Sequence, residues 1–250
     1  MFSSKEFRTI ARDKLRGKWG RAALVTILAM LLGAVAFSGP TSSTSVPAEQ
    51  IAETMESGGS FIDGFSSSIS DSLGIDIAKP VLTGAFVGAG LLGLVRALVG
   101  AAVSLGYHKY FTDLVLYNKA GSVGVLFDHF GIFFKAVGLE LFMGFFIGLW
   151  SLLFFIPGII ASYRYAMASY IMAEHPEVGI REAVNMSKQM MAGHKGRLFG
   201  LHFSFFGWAL LSALTLGIGD IWLNPYMKTA EAAFYIERTG RGIPMAGAEQ

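Results

Sequence analysis

Charge-poor apolar runs alternate with short polar segments along nearly the whole chain. The first run, AALVTILAMLLGAVAF, covers residues 22–37 and holds no charged side chain. A second, VLTGAFVGAGLLGLVRALVGAAVSLG, covers 81–106, and a third covers 132–156 through FFIGLWSLLFFI. Pro157-Gly158 marks a sharp turn, after which a fourth run returns over 159–173. A fifth occupies 198–216, and a sixth, more polar, occupies 219–236. A helix needs about 20 mainly apolar residues to cross a bilayer. The pattern therefore predicts an all-α, polytopic membrane protein, with six transmembrane helices paired as three hairpins in a membrane domain over 22–236.

The polar segments sort into three kinds. Residues 1–21 and 177–192 read as cytoplasmic amphipathic helices. In the first, Ser3 followed by Glu6 fits a capping box, and Phe7, Ile10, Ala11 and Leu15 recur at helical spacing opposite Lys and Arg. Such a helix either lies on the membrane surface or is solvated and packs on the protein's own cytoplasmic loops, and the pattern allows both. In the second, Ile180, Ala183, Val184, Ser187 and Met191 share one face. The loop 38–79 is rich in Ser and Gly and holds Glu49, Glu53, Glu56, Asp63, Asp71 and Asp76 against Lys79. A single lysine here beside a basic N-terminal flank places the N-terminus in the cytoplasm by the positive-inside rule, and six spans return the C-terminus to the same side. Ala34-Val35-Ala36 resembles a signal-peptide cleavage site, but the preceding charged region is too long for that role, so a retained first span is expected. The tail 237–250 reads as disordered.

Composition supports the membrane reading. Hydrophobic residues make up 53% of the 250-residue chain and charged residues 15%, against about 25% charged in an average soluble domain. Mean hydropathy is +0.52. Phe occurs 21 times and Gly 31 times, a mixture that suits packed transmembrane helices. A net charge of +2 gives no nucleic-acid signature. Cysteine is absent, which removes disulfides, thiolate nucleophiles and Cys-based zinc sites.

Two local echoes point to a repeated unit. GKWGR at 17–21 and GHKGR at 193–197 each follow a cationic amphipathic helix and precede an apolar run. A phosphate loop would follow a strand, so the glycines are read as elbows, with Lys18, Arg21, His194, Lys195 and Arg197 among anionic lipid headgroups at about 1 kcal/mol each. GLWSLLFFIPGII (148–160) and FGWALLSALTLGIG (206–219) share a Trp, Leu-Leu and a glycine turn. In the second run, Gly84, Gly88, Ala89, Gly93, Gly100 and Ala101 give the small-residue spacing that lets helix backbones approach.

The stretches PGII, EAVNMSKQMMAGHKGRLF, GWALLSALTLGIGDIWLNPY and AAFY, with ARDKLRGKWGRA near the start, resemble the bacterial integral membrane family known as domain of unknown function 975. The resemblance spans the chain except the loop 38–79 and the tail. It implies a multi-span inner-membrane protein and no established activity.

Charges inside the apolar runs are the default functional candidates, since an unpaired one costs at least about 3 kcal/mol at a helix centre. Counting residues from each outer turn places Arg96 about 22 Å down, Glu231 about 18 Å and Glu140 about 25 Å. This predicts an Arg96–Glu231 pair joined by Glu140, with Lys228 one turn above Glu231. Arg164 falls level with Trp150. The pair serves either to fix helix register or to bind a headgroup or coupling ion. No zinc, nucleophile-elbow or nucleotide motif occurs in the sequence, so no catalytic residue, metal or cofactor is expected. The five histidines are dispersed, and Tyr163, Tyr165 and Tyr170 read as interfacial anchors. The expected function is non-enzymatic: organising or assisting envelope components through lipids with anionic headgroups, a membrane protein partner or a second copy. The alternative is a transporter or exporter of a small or lipidic solute.

Overall fold

The computed structural model describes residues 2–35, 78–119, 121–153, 155–215 and 217–244, and the side chains of all of them except 78–90 and 155. The loop 38–79 therefore lies almost wholly outside the described residues, as do residues 245–250. Among the described residues every regular element is helical. The chain runs through α1 (Ser4–Leu15), α2 (Trp19–Leu31), α3 (Ala78–Tyr117), two 3-10 turns (Val123–Leu126 and Asp128–Ile132) and α4 (Phe133–Leu153). It continues through α5 (Phe155–Tyr165), α6 (Ala168–Glu174), α7 (Ile180–Met190), α8 (Lys195–Phe203), α9 (Phe206–Leu214) and α10 (Asp220–Arg238).

Two stretches among the described residues are long and apolar enough to cross a bilayer: Leu91–Tyr117 and Val123–Leu153, of 27 and 31 residues. Joined α8 and α9, bent by 41°, make a third if they form one span. The other apolar runs fall short for identifiable reasons. Helix α2 has 13 residues, or about 20 Å at 1.5 Å per residue, against a hydrocarbon core of about 30 Å. Helix α10 carries Asp220, Lys228, Glu231, Glu237 and Arg238. The α5 and α6 helices are separated by a break after Tyr165.

Local chemistry explains where the elements begin and end. The capping box at α1 is present: Glu6 N donates to Ser3 Oγ at 3.4 Å, and Ser3 N donates to Glu6 Oε2 at 2.5 Å. Those bonds to Ser3 hold the Glu6 carboxyl below its usual range. Gly17 and Gly193 both adopt positive φ, +75° and +73°, so each ends an amphipathic helix in a conformation that glycine tolerates best. The two elbows thus share backbone geometry as well as sequence. The two quoted hairpin stretches also match in space. The Cβ position of Gly158 lies 2.9 Å from Ser151 Cα, and that of Gly219 lies 2.9 Å from Ser212 Cα. Seven residues of straight helix would separate each pair by about 10 Å, so the chain reverses direction at both places.

The core is built around α10. Its Ala230, Ala232, Ala233, Phe234, Tyr235 and Ile236 are all buried, and α1, α2, α3, α8 and α9 all pack on it. Helix α1 spends its apolar face there: Phe7, Ile10, Ala11 and Leu15 are buried, with the Phe7 and Phe234 rings 5.6 Å apart. Helix α1 thus packs on α10, not on a loop. Helix α7 likewise buries Ala183, Val184 and Ser187. The stretch after Ile236 is held as far as Ile243. Arg241 binds Glu174 with both terminal nitrogens, at 3.0 and 2.6 Å, and Ile243 packs against the core.

Glycines of α3 permit two backbone crossings. A Cβ on Gly100 would meet the Gly33 carbonyl oxygen at 2.5 Å, where Gly33 itself has φ +85°. A Cβ on Gly106 would meet Val125 O at 2.5 Å and Leu126 Cα at 2.6 Å, whereas nothing lies within 4 Å of one on Gly93. Overpacking of this kind costs about 1–3 kcal/mol, and Gly→Ala in an open helical position gains about 0.5–1 kcal/mol. Gly106→Ala should therefore lower the thermal midpoint of the detergent-solubilised protein, and Gly93→Ala should leave it level or raise it. Equal midpoints for the two variants would contradict the close crossing.

Candidate functional site

Lys228 and Glu231 stand three residues apart on α10, on one face of the helix. Glu231 is 7% exposed, and donors reach both of its carboxylate oxygens. Lys228 Nζ and the Tyr170 hydroxyl donate to Oε2 at 2.8 and 3.0 Å. His202 Nε2 lies 3.1 Å from Oε1. The other ring nitrogen of His202, Nδ1, is 3.2 Å from the Tyr163 hydroxyl. In neutral His202, Nε2 carries the proton toward the carboxylate and Nδ1 accepts from Tyr163. Helices α5, α6, α8 and α10 are thereby joined through one carboxylate.

A second carboxylate adjoins this set. Ser104 Oγ on α3 donates to Glu140 Oε1 on α4 at 3.3 Å. One turn along α3, His108 Nδ1 donates to the Ser104 carbonyl at 2.6 Å, and the His108 ring meets the Tyr170 ring edge-on at 4.4 Å. Glu140 and Glu231 thus flank a layer of polar and aromatic groups inside the bundle. Lys228 neutralises Glu231 directly, and the hydroxyl and imidazole donors replace water at the remaining lone pairs.

Arg96 is not part of this layer. Its guanidinium donates to the Met30 carbonyl at the end of α2, while Glu231 is held by Lys228, His202 and Tyr170. Twelve residues of α3 separate Arg96 from His108, about 18 Å of helix. The predicted Arg96–Glu231 pair fails because depth was counted from the start of the second apolar run. Helix α3 has 40 residues, about 60 Å, so its start marks no fixed membrane depth. Arg164 is exposed, and no ring contact joins it to Trp150 among the described residues. Tyr163, Tyr165 and Tyr170 are not interfacial anchors: all three are buried, Tyr170 fully.

The elbow residues divide between internal and outward roles. Lys18 Nζ binds the Asn118 carbonyl at 2.5 Å and its Oδ1 at 2.7 Å, capping the end of α3 where Asn118 has φ 49°. Arg197 pairs with Glu237 at 2.8 Å, donates to the Phe2 carbonyl at 2.7 Å, and lies over the Phe7 and Phe234 rings. Both are committed to the protein. His194 precedes α8 with Nδ1 buried and without a hydrogen-bond partner; burial first, then Arg238 and Arg197, pull its pKa below the usual histidine range. Arg21 is exposed and Lys195 half-buried, and neither makes a hydrogen bond or ion pair within the described chain.

A family model matches residues 1–161 and again residues 152–241, which together cover nearly all of the sequence. The chain belongs to DUF975. That family is described as a protein of unknown function. No curated protein and no solved structure matches the chain.

In this DUF975 chain, Lys228 and Glu231 meet as their spacing implies, and Glu140 adjoins them through Ser104 and His108. Tyr163, Tyr170, His202, Ser104 and His108 were not legible as site residues. The four-residue spacing of Ser104 and His108 marks a polar strip on α3, and it is the one local signal available. Removing one member of a buried ion pair typically costs about 3–5 kcal/mol, whereas replacing both with apolar groups is often close to neutral. Glu231→Met and Lys228→Met should each destabilise strongly, and the double variant should lose clearly less than the sum of the two. A double-mutant cycle on unfolding midpoints measures this, and additive losses would rule out the coupling.

Proposed function

We propose that this protein is a non-enzymatic, multi-pass protein of the cell membrane that organises or assists envelope components through lipids or a protein partner. In this reading both chain ends lie in the cytoplasm. The reading rests on the polar layer being closed upon itself. Both oxygens of Glu231 are taken by donors from the chain, with Lys228 as counter-charge, which suits a device that fixes helix positions.

The exterior supports the same reading. Leu24, Ile27 and Leu31 on α2, Leu91 and Leu92 on α3, Leu141, Phe145 and Leu149 on α4, and Phe203, Phe206, Leu210 and Leu214 on α8 and α9 are exposed. Large exposed apolar surfaces mark membrane or partner contact. Phe2 N donates to Glu237 Oε1 at 2.9 Å, so the two ends of the described chain sit together, as a shared cytoplasmic side requires.

Sealed vesicles carrying the protein should show no uptake of protons or monovalent cations under an imposed gradient. Native mass spectrometry of protein extracted gently from its own membrane should retain lipid or a stoichiometric partner. Saturable proton or cation uptake that Glu231→Gln abolishes without lowering the thermal midpoint would overturn this reading in favour of a transporter.

A further inference from the structure

A cleft of about 480 Å³ opens on the protein surface between α1, α2, α9 and α10, within the range of roughly 300–1,000 Å³ usual for small-ligand sites. Arg12 of α1, Trp19 at the start of α2 and Tyr226 of α10 are among its lining residues. The Trp19 and Tyr226 rings are 6.2 Å apart, and the Tyr226 hydroxyl donates to the Arg8 carbonyl one turn before Arg12. The rest of the wall is mainly apolar: Trp208 and Leu211 of α9 and Trp222 of α10 are more than half exposed, and the Ser212 and Thr215 hydroxyls donate within the chain, to Asp220 and to the Ser212 carbonyl.

Arg12 is exposed, and it makes no hydrogen bond or ion pair with any described residue. In this it differs from Arg197, Lys18 and Arg241, whose charges the chain itself satisfies. An unpaired guanidinium lining a mainly apolar, Trp-rich trough is complementary to an amphiphile with an anionic head. Aromatic rings with a polar edge suit the boundary between headgroup and acyl chain. The trough is also continuous with the exposed apolar surface of α9, where Phe206, Leu210 and Leu214 face outward.

We infer that this cleft holds one acyl chain of an anionic phospholipid, with the headgroup phosphate on Arg12. The inference rests on the membrane-embedded reading above and gives that reading a specific lipid site. A bound lipid of this kind bridges α1 and α2 to the α9–α10 hairpin, across a gap the protein leaves unfilled.

Three of the four tryptophans line the cleft, so intrinsic fluorescence reports its occupancy. The full chain carrying Trp150→Phe is reconstituted into phosphatidylcholine vesicles containing phosphatidylglycerol or phosphatidylcholine with brominated acyl chains. Brominated phosphatidylglycerol should reach half-quenching at about five-fold lower mole fraction than brominated phosphatidylcholine, the ratio one headgroup–arginine contact provides. Arg12→Gln should abolish that preference and Arg12→Lys should keep it, with helical circular dichroism unchanged in both. Equal quenching by the two lipids, or a preference that survives Arg12→Gln, would overturn the site. So would quenching absent from the Trp150→Phe protein but present in the wild type, which would mean that another protein surface covers the cleft. Absence of quenching in both proteins would instead remove the membrane reading itself.

Discussion

An ionised carboxylate taken out of water costs several kcal/mol unless donors meet it, and the donors for Glu231 come from three separate helices. Lys228 lies on its own helix, Tyr170 on α6 and His202 on α8. Each donor must stand within about 3 Å, so the carboxylate constrains the relative placement of these helices far more tightly than apolar packing would. Helix α10 can carry charge and still pack in the core because Glu231 is answered there by Lys228, Tyr170 and His202. Ser104 and His108 extend the same constraint to α3 and, through Glu140, to α4.

Around that layer, much of the cationic charge is spent internally. Arg197 ties the start of α8 to both chain ends through Phe2 and Glu237, Lys18 closes the end of α3, and Arg241 holds the segment after α10 against Glu174. Each satisfies carbonyls or carboxylates that would otherwise be stranded at helix ends. Arg12 is exposed and unpaired, and it is distinguished by the aromatic trough beside it. The buried carboxylate and the proposed lipid cleft thus draw on different residues.

Close backbone approach is the second structural theme. Gly100 against Gly33 and Gly106 against the Val123–Leu126 turn let α3 lie nearer its neighbours than side chains would permit. Where two chain segments must reverse, Ser151 with Gly158 and Ser212 with Gly219 repeat one solution, and Gly17 with Gly193 repeat another. Both devices thus occur twice along one chain, with matching local geometry each time.

Periodicity and glycine chemistry were readable directly from the residues, because both act within a few positions of the chain. The all-helical class, the capping box at Ser3, the elbows at Gly17 and Gly193 and the proximity of Lys228 to Glu231 all depend on local spacing. The quoted hairpin stretches already contained the serine and glycine that pack together. Their contact became visible only once the chain reversed. Partners separated by 29 to 61 residues, His202 and Tyr170 for Glu231, were decided by how helices cross. The same is true of Arg96, which finds a carbonyl on α2 in place of a carboxylate on α10. Counting along one helix gives a position on that helix alone. Where two helices meet depends on tilt, length and packing, and those are properties of the assembled bundle.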